Sequence, residues 1–179
     1  MADDSNSAFQ ARQTGLIVRI PEAEPYVRGW RERLDPSAQA GVPAHVTVLF
    51  PFLDESRIDA LVHSALADVL GSHQAFDLQF ERCGRLPGVL YLVPEPDTQV
   101  RQLTEAIADR WPEAPPYGGR FTEIIPHLTI AQSQEAATLE EVESDLAGKF
   151  PFTSHVASVE LIVHDGVKWQ ERASFTLGR

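Results

Sequence analysis

His45-Val46-Thr47-Val48 and His127-Leu128-Thr129-Ile130 are two copies of one four-residue pattern, and the alternation within them decides the fold. Successive side chains of an extended strand point to opposite faces. His45 and Thr47 therefore share one face while Val46 and Val48 share the other, and the second copy reads the same way. Each strand buries an aliphatic side and presents an imidazole and a hydroxyl on the opposite one. With six His and nine Thr in 179 residues, chance supplies about 0.3 His-x-Thr pairs. A lone pair of this kind is ordinarily structural; two, each closed by a β-branched residue, indicate a site.

The flanking sequence repeats as well. Leu16-Ile17-Val18-Arg19-Ile20 is β-branched and apolar and is broken by Pro21-Glu22, as Val89-Leu90-Tyr91-Leu92-Val93 is broken by Pro94-Glu95. After the first comes a helical stripe of Tyr26, Val27, Trp30 and Leu34, and after the second another of Val100, Leu103, Ile107 and Trp111. A loop and the His-x-Thr strand follow in each case, the second loop, Pro112 to Pro126, being the longer. Strand, helix, loop and motif strand, occurring twice, predict an internal duplication about a pseudo-twofold axis that brings the motifs face to face.

The remainder fits the same plan. Ser56 to Leu70 reads as a helix, and Phe76-Asp77-Leu78-Gln79-Phe80 alternates as a half-buried strand. Thr138-Leu139-Glu140-Glu141 has the form of a capping box opening a helix that carries Val142 and Leu146, and Ser158 to Val163 is the strand matching Phe76 to Phe80. Ala173 to Leu177 forms a last strand, and Phe50-Pro51-Phe52 and Phe150-Pro151-Phe152 read as hydrophobic anchors.

A chain of 179 residues with 43% hydrophobic side chains buries one substantial core. The expected organisation is a loose leader over residues 1–14 and a single two-lobed domain over residues 15–179. A net charge of −11 opposes attraction to long nucleic acid, which depends on many Lys and Arg contacts, but leaves a small phosphorylated ligand or a nucleic-acid end open. Cys83 is the only cysteine, so neither an intrachain disulfide nor a multi-Cys zinc site can form, and a reducing, cytoplasmic setting is the simplest expectation. Met1 to Thr14 lacks the basic and apolar regions of a signal peptide, and no apolar run approaches membrane-spanning length.

The two His-x-Thr strands, the form Ile125-Pro126-His127-Leu128-Thr129, the repeated halves and the tail Val159-Glu160-Leu161 with Trp169 and Phe175-Thr176-Leu177-Gly178 resemble the two-histidine (2H) phosphoesterase superfamily, in particular its 2′-5′ RNA ligase family. The resemblance spans nearly all of the chain from about residue 15. It implies a bilobal α+β fold, two antiparallel sheets lining a central cleft with helices outside. It also implies metal-independent, cofactor-free chemistry on 2′,3′-cyclic or related cyclic phosphates of nucleotides and RNA ends, or on 2′-5′ phosphodiester bonds. By position, His45 and His127 match the family's catalytic pair and Thr47 and Thr129 its phosphate-contacting hydroxyls.

The chemistry suits these residues. Opening a cyclic phosphodiester needs a base for water and an acid for the leaving oxygen on the opposite side of phosphorus, and imidazole serves either role near neutral pH. The near-symmetry of the motifs leaves open which His does which, and reversibility leaves hydrolysis and ligation as two directions of one reaction. Tyr117 and Arg120, in the Gly-rich stretch before the second motif, are candidates for ligand contact, set against a solvated turn; Phe50 and Phe52 are candidates for an apolar wall, set against core packing. His63, His73, His155 and His164 show no metal-ligand spacing, and the acidic run Glu135 to Asp145 reads as a solvated helix face. A non-catalytic binding module for a nucleotide or RNA end, a 2′-5′ RNA ligase and a metal-dependent hydrolase using the two His as ligands are the competing readings. Two lobes that close their own site point to a monomer.

Overall fold

The structure, a computed structural model, describes residues 9–179. Eight strands form two four-stranded antiparallel sheets. The first has the order β2-β1-β7-β8, from β1 (Thr14–Arg19), β2 (His45–Leu49), β7 (Ser158–His164) and β8 (Trp169–Thr176). The second has the order β5-β4-β3-β6, from β3 (Phe76–Leu86), β4 (Val89–Glu95), β5 (Leu128–Ala131) and β6 (Phe152–Val156). The helices are α1 (Glu24–Leu34), the short α2 (Pro36–Gln39), α3 (Ala60–Gly71), α4 (Thr98–Arg110) and α5 (Ala136–Leu146). The fold is α+β, and each motif strand is the edge of its own sheet.

The two sheets match strand for strand: β2 with β5, β1 with β4, β7 with β3, β8 with β6. The halves nevertheless trade strands. β3 follows the first motif in sequence yet pairs with β4, and β7 follows the second motif yet pairs with β1. The hairpin at Pro87-Gly88, where Gly88 takes φ 71°, is too tight for β3 to pair anywhere but against β4. Neither half can therefore complete its sheet alone.

The helices are exchanged too. α1 packs on β5 and α4 on β2, so each motif strand lies under the helix of the other half. Val46 and Val48 are buried, as are Leu128 and Ile130, in one core with Leu103, Ile107 and Val27. Burial of such a side chain contributes about 1.5–3 kcal/mol, and this pins the aliphatic face of each strand inward. The imidazoles and hydroxyls are left on the open face.

Several elements differ from their sequence reading for identifiable reasons. β4 runs on through Pro94, which a central strand would exclude, because β5 pairs only with Leu90 to Leu92 and one side of Pro94 is free of a neighbour. β6 is a strand that hydrophobic patterning misses, since its inward face carries Ser154, whose hydroxyl donates to the Glu22 carboxylate. α5 starts at Ala136, ahead of the capping box, so Thr138 lies inside the helix. Of the leader expected over residues 1–14, residues 1–8 lie outside the described residues. The rest is integrated: the Arg12 amide donates to the His164 carbonyl, and the buried Thr14 hydroxyl donates to the Leu53 carbonyl. No helix among the described residues is long and apolar enough to cross a membrane.

Candidate active site

The open faces of β2 and β5 meet in a cleft of ≈ 270 Å³ lined by His45, Thr47, His127 and Thr129 together. A slightly larger hollow of ≈ 320 Å³ beside His73 and Gln99 contains no motif residue. The two imidazoles are held in the same way. His45 donates from Nδ1 to the Pro43 carbonyl at 2.8 Å, and His127 donates from Nδ1 to the Ile125 carbonyl at 2.7 Å. A carbonyl oxygen can only accept, so Nδ1 carries the proton in each ring and Nε2 is the nitrogen available for chemistry. Pro43 and Ile125 thus set the tautomer of a residue two positions on.

The surroundings of the two rings differ. Close to His45 lies a buried ion pair in which Arg31 donates from Nε and Nη2 to Asp35 at 3.1 and 3.0 Å. Arg31 also donates to the carbonyls of Thr129 and Val42, and Asp35 caps α2 by accepting from the Ser37 amide. Arg31 is 2% and Asp35 1% exposed, so the charges are dry and their hydrogen bonds are satisfied. Burial, and next the Arg31 charge, lower the His45 pKa from 6.5 to about 4 against the opposing influence of Asp35 and the Pro43 bond. His45 is therefore neutral at pH 7.

One wall of the cleft is apolar. Ile17, Val42, Ile162 and Trp169 form a small separate core, with Phe9 and Phe50 packed on it. Phe9, Phe50 and Trp169 meet edge to face, with centroids 5.4–6.4 Å apart. Phe50 is thus brought into the cleft, as the sequence proposed. Phe52 is not: three residues beyond the end of β2, it is buried in the main core, edge-on to Trp111 at 5.3 Å.

The stretch Pro116–Gly119 forms a tight turn in which Tyr117, Gly118 and Gly119 all take positive φ. The turn is anchored by the Tyr117 amide, which donates to the Phe50 carbonyl at 2.6 Å, and the Tyr117 side chain lies beside Thr47 at the cleft. Burial raises the Tyr117 pKa, so its hydroxyl stays protonated. Arg120 is exposed and outside the cleft lining, because the turn that brings Tyr117 inward carries Arg120 past the rim.

Sequence reading missed Asp35, Ser37, Gln132, Ile162 and Trp169, which also line the cleft. Asp35 caps α2 ahead of Pro36, a local signal, but the proximity of α2 to the second motif is tertiary. Trp169 enters because it lies opposite His164 in the β7-β8 register. Among the described residues no Lys or Arg lines the cleft. Among the described residues no group of three or more His, Cys, Asp or Glu is placed to hold a metal ion.

The match to known proteins agrees with this geometry. The family model described as the 2′-5′ RNA ligase superfamily matches residues 20–168. The chain belongs to the 2′-5′ RNA ligase superfamily. Its fold is that of Escherichia coli LigT: the crystal structure complexed with 3′-AMP aligns with TM-score 0.62 at 18% identity, covering 95% of this chain and 100% of that one. The apo form aligns with TM-score 0.60 at 19% identity, covering 96% and 100%. TT0787 of Thermus thermophilus aligns with TM-score 0.61 at 16% identity, covering 93% and 99%. A search of the curated proteins finds no match.

Proposed function

We propose that this member of the superfamily is a metal-independent phosphodiesterase that opens 2′,3′-cyclic or related cyclic phosphates on nucleotides or RNA ends, with His45 and His127 as the acid–base pair. The observation that carries the proposal is the paired tether of Nδ1 to a backbone carbonyl, which presents two Nε2 atoms to one cleft. His45, neutral beside Arg31, enters as the base and takes a proton from water through Nε2. As water oxygen bonds to phosphorus, the ring P–O bond breaks and His127 protonates the departing oxygen. Thr47 and Thr129 donate to the non-bridging oxygens, and the Phe9, Phe50 and Trp169 wall stacks the base.

The charge of the site supports a small diester. Hydroxyl donors without Lys or Arg suit a singly charged phosphodiester better than a doubly charged monoester, which favours product release. A net charge of −11 disfavours long RNA. LigT structures have been determined with 3′-AMP, NADP+ and ATP, which supports a nucleotide as ligand. With a 5′-hydroxyl in place of water as the nucleophile, the same groups would join it to the cyclic phosphate as the ring P–O bond breaks, and so act as a 2′-5′ RNA ligase.

The test is turnover, in excess chelator, of 2′,3′-cyclic mononucleotides, an ADP-ribose cyclic phosphate and a 2′-5′-linked oligonucleotide by the wild type and by His45→Ala and His127→Ala. Each substitution is expected to cost about 10²–10⁴ in rate. Tight binding without turnover in the wild type would instead make the chain a nucleotide-binding module, and loss of activity on chelation would make it a metal-dependent hydrolase.

A further inference from the structure

The His127 imidazole meets the ring of Tyr91 edge to face, with centroids 5.6 Å apart and planes at 66°. The sheet brings them together. Tyr91 on β4 is the direct partner of Thr129 on β5, and His127 stands two residues before Thr129 on the same face. On its other side Tyr91 is the direct partner of Gly84 on β3. A Cβ added at Gly84 would lie 2.7 Å from Tyr91 Oη and closer still to Cζ and Cε2, so the tyrosine ring fills the place that any other side chain at position 84 would take. Gly84 does not take a positive φ, so the close approach of the ring, not the backbone, requires a glycine there.

The first half is built differently at the matching places. Ile17 is the partner of Thr47, and Glu160 is the partner of Ile17, so an aliphatic residue and a carboxylate stand where the second half has Tyr91 and Gly84. Glu160 pairs with Arg19 at 3.2 Å, and His45 has the Arg31–Asp35 pair close by. The duplication thus supplies the Nδ1 tether to both histidines, and each half adds its own further restraint. A restraint is needed, because a hydrogen bond at Nδ1 fixes one edge of an imidazole while the broad torsion about Cβ–Cγ leaves the ring plane to packing.

We infer that Tyr91, seated on Gly84, is the positioning residue of His127: it holds the imidazole plane so that Nε2 faces the cleft, and the bare backbone at position 84 is the space this brace needs. Its effect on rate rests on the phosphodiesterase reading above, in which His127 Nε2 gives its proton to the departing oxygen. Tyr91 does not line the cleft, so its removal leaves the surfaces that hold a ligand in place. The loss therefore falls on kcat and not on KM.

The experiment measures kcat and KM for 2′,3′-cyclic AMP, and the nitrogen NMR signals of the His127 ring, in the wild type, Tyr91→Phe, Tyr91→Leu, Gly84→Ala and the double variant Gly84→Ala with Tyr91→Leu. Tyr91→Leu is expected to lower kcat by about 10- to 100-fold with KM within about twofold, and to turn the neutral His127 ring from a single Nδ1–H tautomer into a mixture. Tyr91→Phe keeps the ring and is expected to recover the larger part of that loss. Gly84→Ala pushes the ring off its seat and is expected to lower kcat as well. In the double variant the added methyl meets no ring, so its kcat should match that of Tyr91→Leu alone. An unchanged kcat in Tyr91→Leu, a loss carried by KM, or multiplicative losses in the double variant would overturn the brace. An inert wild type would overturn the phosphodiesterase reading, and the ring signals then decide the brace by themselves: a single tautomer retained in Tyr91→Leu overturns it, and a mixture upholds it.

Discussion

Arg31 and Thr104 hold equivalent places in the two halves, and each reaches out of its own half: Arg31 Nε donates to the Thr129 carbonyl at 3.2 Å, and Thr104 Oγ1 donates to the Val48 carbonyl at 2.7 Å. The displacement that carries Leu16 onto Val89 carries Arg31 onto Thr104. Each helix thus positions the other half's motif strand by the same kind of bond. The symmetry of place is broken in charge, because Arg31 needs Asp35 and Thr104 needs only the Val100 carbonyl.

The difference should be visible in stability. Arg31→Met leaves Asp35 as a buried charge with Ser37 as its remaining partner, and is expected to cost about 3–5 kcal/mol. Thr104→Val loses neutral hydrogen bonds at similar shape, for about 1 kcal/mol. Denaturant midpoints of the two variants measure this; comparable losses would contradict the assignment of the Arg31–Asp35 pair as a dry charge.

The charge also separates the histidines in their titration. With the His45 pKa lowered to about 4, the free enzyme keeps an unprotonated base well below pH 6.5. The acid limb of kcat/KM is accordingly expected near pH 4–5, below that of an ordinary imidazole. A limb centred at pH 6.5 would mean that His45 is not the base, or that Arg31 does not act on it.

Stability should follow the same group. The folded His45 pKa lies below its unfolded value, so as pH falls the unfolded chain takes the proton first. Its contribution is intact above about pH 6.5 and is lost between there and about pH 4, by roughly 3 kcal/mol. Across that window the unfolding free energy of the wild type is expected to fall by more than that of His45→Asn. Parallel curves would count against the shift.

Both motifs, the apolar wall at Phe50 and the turn at Tyr117 were legible in the sequence because each is a local signal: alternation, an aromatic at a strand end, a Gly pair. Arg31, Asp35 and Trp169 were not. Arg31 and Trp30 look alike as polar and apolar positions of one amphipathic helix, and only the exchange of helices between halves brings Arg31 against the second motif. The strand exchange was hidden for the same reason, since a duplicated pattern is identical whether its halves fold apart or trade strands. Arg120 and Phe52 show the converse: a residue type that suits phosphate or a base, placed by its own turn, or by the stretch after β2, away from the cleft.

Tyr117 gives a test that depends on coupling. Its backbone sits at φ 51° between Pro116 and two glycines that also take positive φ, and it is held there by the Phe50 carbonyl. Burial keeps the Tyr117 hydroxyl protonated, and its side chain beside Thr47 holds the Thr47 hydroxyl in place at the cleft. Tyr117→Phe is then expected to lower kcat/KM for a cyclic mononucleotide by about tenfold with the fold intact, and Thr47→Val by at least as much. Once Thr47 is gone the tyrosine has nothing to orient, so the double variant should be little worse than Thr47→Val alone. Kinetics of the four proteins close the cycle, and strictly multiplicative losses would show that the two hydroxyls act independently.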